Sequence, residues 1–222
     1  MIQSDNALES VGMVIFDEFH ERSIHADVAL ALCREAQQVL RPDLRILVMS
    51  ATLNMPQLTS LLKAPAVVSK GRQYPVDIHY AGDTDERLIA ELCSQVIIKA
   101  TKSHDGDVLV FLPGQREILN TEEILRNRLK GFSIHPLYGA LPQHRQNRAI
   151  VPDKNGKRKV VLATSIAETS LTIQGIKVVV DSGFGRTSKF DPASALSRLE
   201  TVQISIDSAD QRAGRAGRLS PG

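Results

Sequence analysis

Short apolar runs alternate with longer amphipathic stretches along this chain, the pattern of parallel β-α units. Residues 11–16, Val-Gly-Met-Val-Ile-Phe, are apolar almost throughout and predict a buried strand that ends at Asp17-Glu18. Val28, Leu32, Cys33, Ala36 and Leu40 then recur at helical spacing, which predicts a helix over 25–40. A strand over 45–49 ends at Ser50-Ala51-Thr52, followed by a short helix over 56–62 and an expected strand over 66–69.

Gly71-Arg72-Gln73-Tyr74-Pro75, polar residues bracketed by glycine and proline, is the best linker. Beyond it the alternation restarts. Helices are expected over 88–100 and 118–129, strands over 108–112, 159–163 and 177–180, and an extended segment over 133–137. The fold class is therefore α/β with parallel sheets, divided into residues 1–74 and residues 75–222. The second part reads as nearly complete. The first reads as incomplete, with too few elements before residue 70 to bury both faces of a parallel sheet.

Composition narrows the picture. Of 222 residues, 42% are hydrophobic and 23% charged, which excludes a disordered chain. The net charge of +2 is uneven: residues 1–74 hold 7 Lys/Arg against 8 Asp/Glu (−1), leaving 20 against 17 (+3) for residues 75–222. That bias permits a polyanionic partner, and a solvated surface gives the same count. Cys33 and Cys93 lack CxxC spacing and read as buried free thiols, which fits a reducing cytoplasmic setting. No run reaches the roughly 18 apolar residues of a membrane span, and the polar start has no secretion-signal core.

The candidate chemistry lies at strand ends. An apolar strand closing on Asp17-Glu18 is a Walker B arrangement, in which the first carboxylate is held rigidly at the sheet edge where phosphoryl-transfer enzymes hold Mg²⁺. Alone, it is more often a strand ending in a solvated acidic turn. Residues 163–173 follow a strand with five hydroxyls, Thr164, Ser165, Thr169, Ser170 and Thr172, groups that suit phosphate oxygens and also cap helices. In Gln211-Arg212-Ala213-Gly214-Arg215-Ala216-Gly217-Arg218 three arginines recur at i, i+3 and i+6, expected on one helix face. Two glycines inside that helix would cost about 1 kcal/mol each, which a close backbone approach would justify and a basic solvated helix would not.

Taken in order, these segments resemble the DEAH-box ATP-dependent RNA helicases, a branch of superfamily 2, over nearly the whole chain. Asp17-Glu18-Phe19-His20 matches the signature with Phe in place of Ala, Ser50-Ala51-Thr52 the third motif, residues 163–173 motif V and residues 211–218 motif VI. Phe19, residues 136–142 and residues 184–199 are most similar to the bacterial HrpB-type group.

The resemblance implies two RecA-like lobes, an incomplete first and a nearly complete second, with ATP or another NTP and Mg²⁺ between them. It implies that Asp17 holds Mg²⁺ through water, Glu18 activates the hydrolytic water and His20 couples the lobes. Ser50 and Thr52 would link hydrolysis to strand movement. Gln211 would hold the attacking water, Arg215 and Arg218 would act as arginine fingers, and Ser170 and Arg212 would belong to the nucleotide site. Thr164 and the motif IV residues Gln115 and Arg116 would meet single-stranded or structured RNA. A non-catalytic RNA-binding fragment and a DNA-directed translocase remain the alternatives.

No G-x-x-x-x-G-K-[ST] occurs, the nearest match being Asn155-Gly156-Lys157-Arg158, read as an exposed basic loop. The chain is therefore expected to start inside the first lobe, stop before the family's C-terminal accessory domains, and be inactive and poorly soluble alone. Ser165 replaces the family's Asn, Gln174 an acidic residue and Ile150 an aromatic one.

Overall fold

The computed structural model describes residues 4–21, 23–50, 55–69, 74–82, 85–168 and 171–222. It divides into two compact units, Met1–Ser69 and Lys70–Gly222. Tyr74 falls in the second because its N–H donates to the Gly217 carbonyl (2.9 Å), and Gly222 and Pro75 are joined in the same way (3.1 Å).

In the first unit, β1 (Met13–Phe16) pairs in parallel with β2 (Arg45–Val48), Val14 opposite Ile46 and Phe16 opposite Val48. Between them runs α1 (Ile24–Val39), started by Ser23, whose hydroxyl accepts the Ala26 N–H (3.0 Å) and so satisfies one orphan donor of the first turn. Its Cys33 joins Leu8 and Leu44 in a small core flanked by Val14, Phe16 and Ile46. The opposite sheet face stays open: Ile15 is 54% and Leu47 42% exposed. Apolar residues on both faces are the mark of a strand made for two-sided burial, and among the described residues only one side receives it. A short helix, α2 (Met55–Leu62), follows.

The strand expected over 66–69 does not form. Val67 and Val68 are exposed, and no described strand pairs with them. β-branched residues favour a ladder only where a partner completes it.

The second unit is built on a four-stranded parallel sheet of β3 (Asp107–Phe111), β4 (Ser133–Leu137), β5 (Lys159–Ala163) and β6 (Ile176–Asp181), in the order β4-β5-β3-β6. Side chains alternate faces with period two. Val108, Val110, Val160 and Leu162 meet Ile97 of α3 (Ile89–Ser103) and Ile118 and Leu125 of α4 (Gln115–Arg128). Leu109, Phe111, Val161 and Ala163 meet Ala149 of α5 (Gln143–Ile150) and Ile173 on the other side.

Two cations are structural. Arg158 is folded in rather than exposed: it donates to the carbonyls of Thr101 (3.1 Å), His104 (2.7 Å) and Gly106 (2.8 Å), closing the end of α3, and stacks over Phe132. Lys159, fully buried, donates to the carbonyls of Ala149 (3.1 Å) and Val151 (2.8 Å) at the end of α5 and faces Asp107 at 3.9 Å. Burial holds its ammonium below the ordinary lysine range.

β7 (Phe184–Asp191) and β8 (Leu196–Gln203) form an antiparallel hairpin, Arg186 opposite Thr201. The last helix, α6 (Ile206–Ala213), starts at Ser205, whose side chain accepts the Ser208 N–H (3.2 Å). It ends at Ala213, so Arg215 and Arg218 do not share a helix face with Arg212 as expected. Gly214 caps the helix and the chain continues in turns, the outcome favoured where glycines weaken a helical ladder.

Candidate functional site

In the first unit, β1 delivers Asp17 and Glu18 to the end of the strand. Glu18 has φ +48°, a conformation uncommon for a non-glycine residue. Its N–H donates to Asp17 Oδ1 (2.8 Å), which offsets the local cost and orients the first carboxylate. The next residue, Phe19, is buried edge-on against Phe16 (centroids 6.1 Å), and its N–H donates to the Met49 carbonyl (3.0 Å). Met49 in turn donates to the Phe16 carbonyl (2.8 Å), so the acidic turn and the end of β2 are stitched together.

His20 Nδ1 lies 3.5 Å from Glu18 Oε2, its side chain sheltered and that of Glu18 40% exposed. Ser50 Oγ, one residue past that stitch, is buried with no hydrogen-bond partner among the described residues. Thr52 lies outside the described residues.

In the second unit the candidate residues gather at the carboxyl ends of the parallel strands, where open α/β sheets place their ligands. Gly114, just past β3, caps α4 and leaves Gln115 and Arg116 exposed at its first turn. Thr164 closes β5, its N–H donating to the Leu137 carbonyl (3.2 Å). Ser170 lies outside the described residues.

The three motif VI arginines each grip the motif V loop differently. Arg212, 2% exposed, donates from Nε to Glu168 Oε2 (3.2 Å) and from Nη1 to Asp181 Oδ1 (2.8 Å) and the Phe184 carbonyl (3.2 Å), with its guanidinium 4.9 Å from the Phe111 ring centroid. Arg215, also buried, donates to the carbonyls of Glu168 and Leu171, the latter at 2.7 Å. Arg218, exposed, donates to Thr172 Oγ1 (3.0 Å). Gln211 is half-buried on α6. The structure thus brings Arg212, Arg215 and Arg218 together with Glu168, Leu171 and Thr172, but directs the Arg212 guanidinium inward.

Sequence reasoning missed Glu168 and Asp181, the carboxylates that hold Arg212, and Ser208, whose hydroxyl donates to Glu168 Oε1. A signal existed for the first: Glu168 is the one acid in a stretch otherwise of hydroxyl and apolar residues. Asp181 is an acid ending an apolar strand, the same signal that marked Asp17.

Gly217 of motif VI also has a local reason. A Cβ on Gly217 would lie 2.6 Å from the Tyr74 carbonyl oxygen. The close approach is therefore to the chain's own backbone at residue 74.

The model of the helicase conserved C-terminal domain matches residues 87–220, which spans this arginine and hydroxyl arrangement. The chain belongs to that helicase family. Over all of its length it is 48% identical to the ATP-dependent RNA helicase HrpB of Escherichia coli strain K12, and over 98% of its length 42% identical to the pre-mRNA-splicing factor ATP-dependent RNA helicase prp22 of Schizosaccharomyces pombe. It spans 28% and 19% of those relatives. The crystal structure of the Escherichia coli DEAH/RHA helicase HrpB superposes on the whole chain with a TM-score of 0.91 at 48% identity, the chain covering 29% of it. The α/β class and the DEAH-box resemblance therefore stand. No described helix is long and apolar enough to cross a membrane.

Proposed function

We propose that this chain supplies the hydrolysis and RNA-gripping motifs of an ATP-dependent RNA helicase acting in the cytoplasm. The observation that carries the reading is the fastening of Arg212, Arg215 and Arg218 to three successive parts of the motif V loop, at the carboxyl ends of a parallel sheet. A change in the phosphates sensed by one segment would then reach the other through these hydrogen bonds. The named relatives are ATP-dependent RNA helicases, which supports the same reading.

In this account Glu18 takes a proton from the attacking water, Gln211 orients that water, and Arg218 and Arg215 offset charge on the γ-phosphate. An arginine fork suits that task because it is planar and permanently charged. The exposed Arg218 is poised to do so, whereas Arg215 must exchange its carbonyl partners for phosphate oxygens. Arg212 serves as a positioning residue, its Nε and Nη1 engaged by Glu168, Asp181 and the Phe184 carbonyl.

Mg²⁺ fits the donor set: Asp17 is an exposed hard oxygen ligand with one oxygen fixed by the Glu18 N–H. Mg²⁺ is commonly held by one or two carboxylates, with waters and substrate phosphates completing its shell. When bound it would neutralise charge on the terminal phosphates. His20 and Ser50 couple this turn to strand movement, with Thr52 and Ser170 assigned to coupling and nucleotide sensing by resemblance. Thr164, Gln115 and Arg116 meet the RNA backbone, in contacts that are sequence-tolerant and salt-dependent.

These 222 residues contain no P-loop motif, which favours, for this polypeptide tested alone, RNA binding without turnover. A chimera separates the readings: this chain replaces the matching segment of Escherichia coli HrpB, and ATP hydrolysis is followed with and without single-stranded RNA. RNA-stimulated turnover is expected. Failure in a folded chimera contradicts the enzymatic reading, and stimulation by matched DNA as strong as by RNA favours a DNA-directed translocase.

A further inference from the structure

We propose that the root of the β7–β8 hairpin positions the motif IV turn, and that Arg186 is the residue through which it does so. The proposal rests on the reading of Gln115 and Arg116 as nucleic-acid contacts.

Three consecutive residues make the connection. The Phe184 carbonyl accepts from Arg212 Nη1 (3.2 Å), and a Cβ on Gly185 would stand 3.6 Å from Arg212 Nη2, so this side of the root lies against motif VI. Arg186, next along the strand, reaches the other way. Its guanidinium occupies the space a side chain at position 114 would need: a Cβ on Gly114 would lie 2.5 Å from Arg186 Cζ and 2.7 Å from Nε. Gly114 has an extended backbone that any residue adopts, so its requirement is this approach and not its conformation.

Arg186 Nη2 also stands 3.6 Å from Glu117 Oε2 in the first turn of α4. That oxygen is buried and makes no hydrogen bond among the described residues, so Arg186 is its nearest compensation. With side chains 36% and 19% exposed, the ion pair is worth little as glue. Its consequence is directional: the wedge against Gly114 and the charge on Glu117 fix where α4 begins, and with it the exposed Gln115 and Arg116. Displacing Arg212 would move the hairpin root and, through Arg186, the start of α4. Arg186 is thus a positioning residue linking the arginine segment to the motif IV turn.

The test is a charge-exchange cycle read by fluorescence anisotropy of a labelled oligouridylate across a salt series. It compares the unaltered chain with Arg186→Gln, Glu117→Gln, the double variant and the exchanged pair Arg186→Glu with Glu117→Arg. Thermal unfolding of each serves as the folding control. Each single change is expected to weaken binding about three- to tenfold, the double no further, and the exchanged pair to recover part of the loss. The salt slope should stay unchanged, because no phosphate contact is lost. If Arg186→Gln alone weakens binding and lowers the slope by about one, while Glu117→Gln does nothing, Arg186 touches phosphate directly and the positioning role is wrong. Unchanged affinity in every variant also overturns it. If the unaltered chain binds no RNA, the reading of Gln115 and Arg116 fails and takes this proposal with it.

Discussion

Arg212 and Glu168 form a salt bridge of 3.2 Å with both side chains sheltered, at 3% and 14% exposure, and that bridge fastens α6 to the turn after β5. Asp181 takes a second face of the same guanidinium at 2.8 Å. Two carboxylates and one cation removed from water are stable only as a set, because each unpaired charge would carry its desolvation cost alone.

Removing the cation should therefore be expensive. Arg212→Gln is expected to destabilise the second unit by about 3–5 kcal/mol, measured by denaturant unfolding. Arg212→Lys should restore only part of this, since an ammonium cannot bridge Glu168, Asp181 and the Phe184 carbonyl in one plane. Retained stability in Arg212→Gln would show that the carboxylates find other partners.

Gly217 tests whether close packing on residue 74 is needed. Gly217→Ala would bring a methyl group to 2.6 Å from the Tyr74 carbonyl oxygen and 2.8 Å from Val76 Cγ2. A loss of about 1–3 kcal/mol in unfolding free energy is expected, the usual cost of overpacking.

Acid sensitivity should appear in the ordinary histidine range. Burial holds the imidazolium form of His135 below its usual pKa, with the Lys159 and Arg148 charges adding to the effect and Asp153 and Glu122 opposing it. The unfolded chain then binds the proton first, so this contribution to stability is present above about pH 6.5 and is lost as pH falls through the folded value. The unfolding midpoint should fall on acidification from pH 7, and His135→Gln should flatten that slope.

Thiol chemistry reports opening of the second unit. Burial, with the charge of Asp181, pushes the Cys93 thiol up to about 12, so thiolate is scarce at neutral pH. Modification by an aromatic disulfide reagent should be slow in the native protein and accelerate with denaturant alongside unfolding. Fast native labelling of Cys93 would contradict the buried assignment.

Much of the fold was legible because β3 and β5 are buried on both faces and read as unbroken apolar runs. The β7–β8 hairpin was not legible, since exposed Lys189, Arg198 and Glu200 interrupt any apolar alternation and cross-strand pairing alone defines it. Residues 66–69 misled for the converse reason, offering β-branched residues without a described partner strand. At the site, Arg215 and Arg218 stood out by their glycine spacing. Their true path, in turns beyond Ala213, depended on the Tyr74 contact at Gly217, which lies far away in sequence. The inward aim of Arg212 depended on Asp181 and Glu168, contributed by two other elements.

The most direct test of the central claim is RNA-stimulated ATP hydrolysis by the chimera with Escherichia coli HrpB, comparing the unaltered chain with Glu18→Gln and Arg218→Ala. Each change is expected to leave the fold intact and to lower turnover steeply, for Arg218 by about 10³–10⁵ if it acts as an arginine finger. Turnover within a few-fold of the unaltered chimera in both variants would contradict the roles assigned to the acidic turn and the arginine segment.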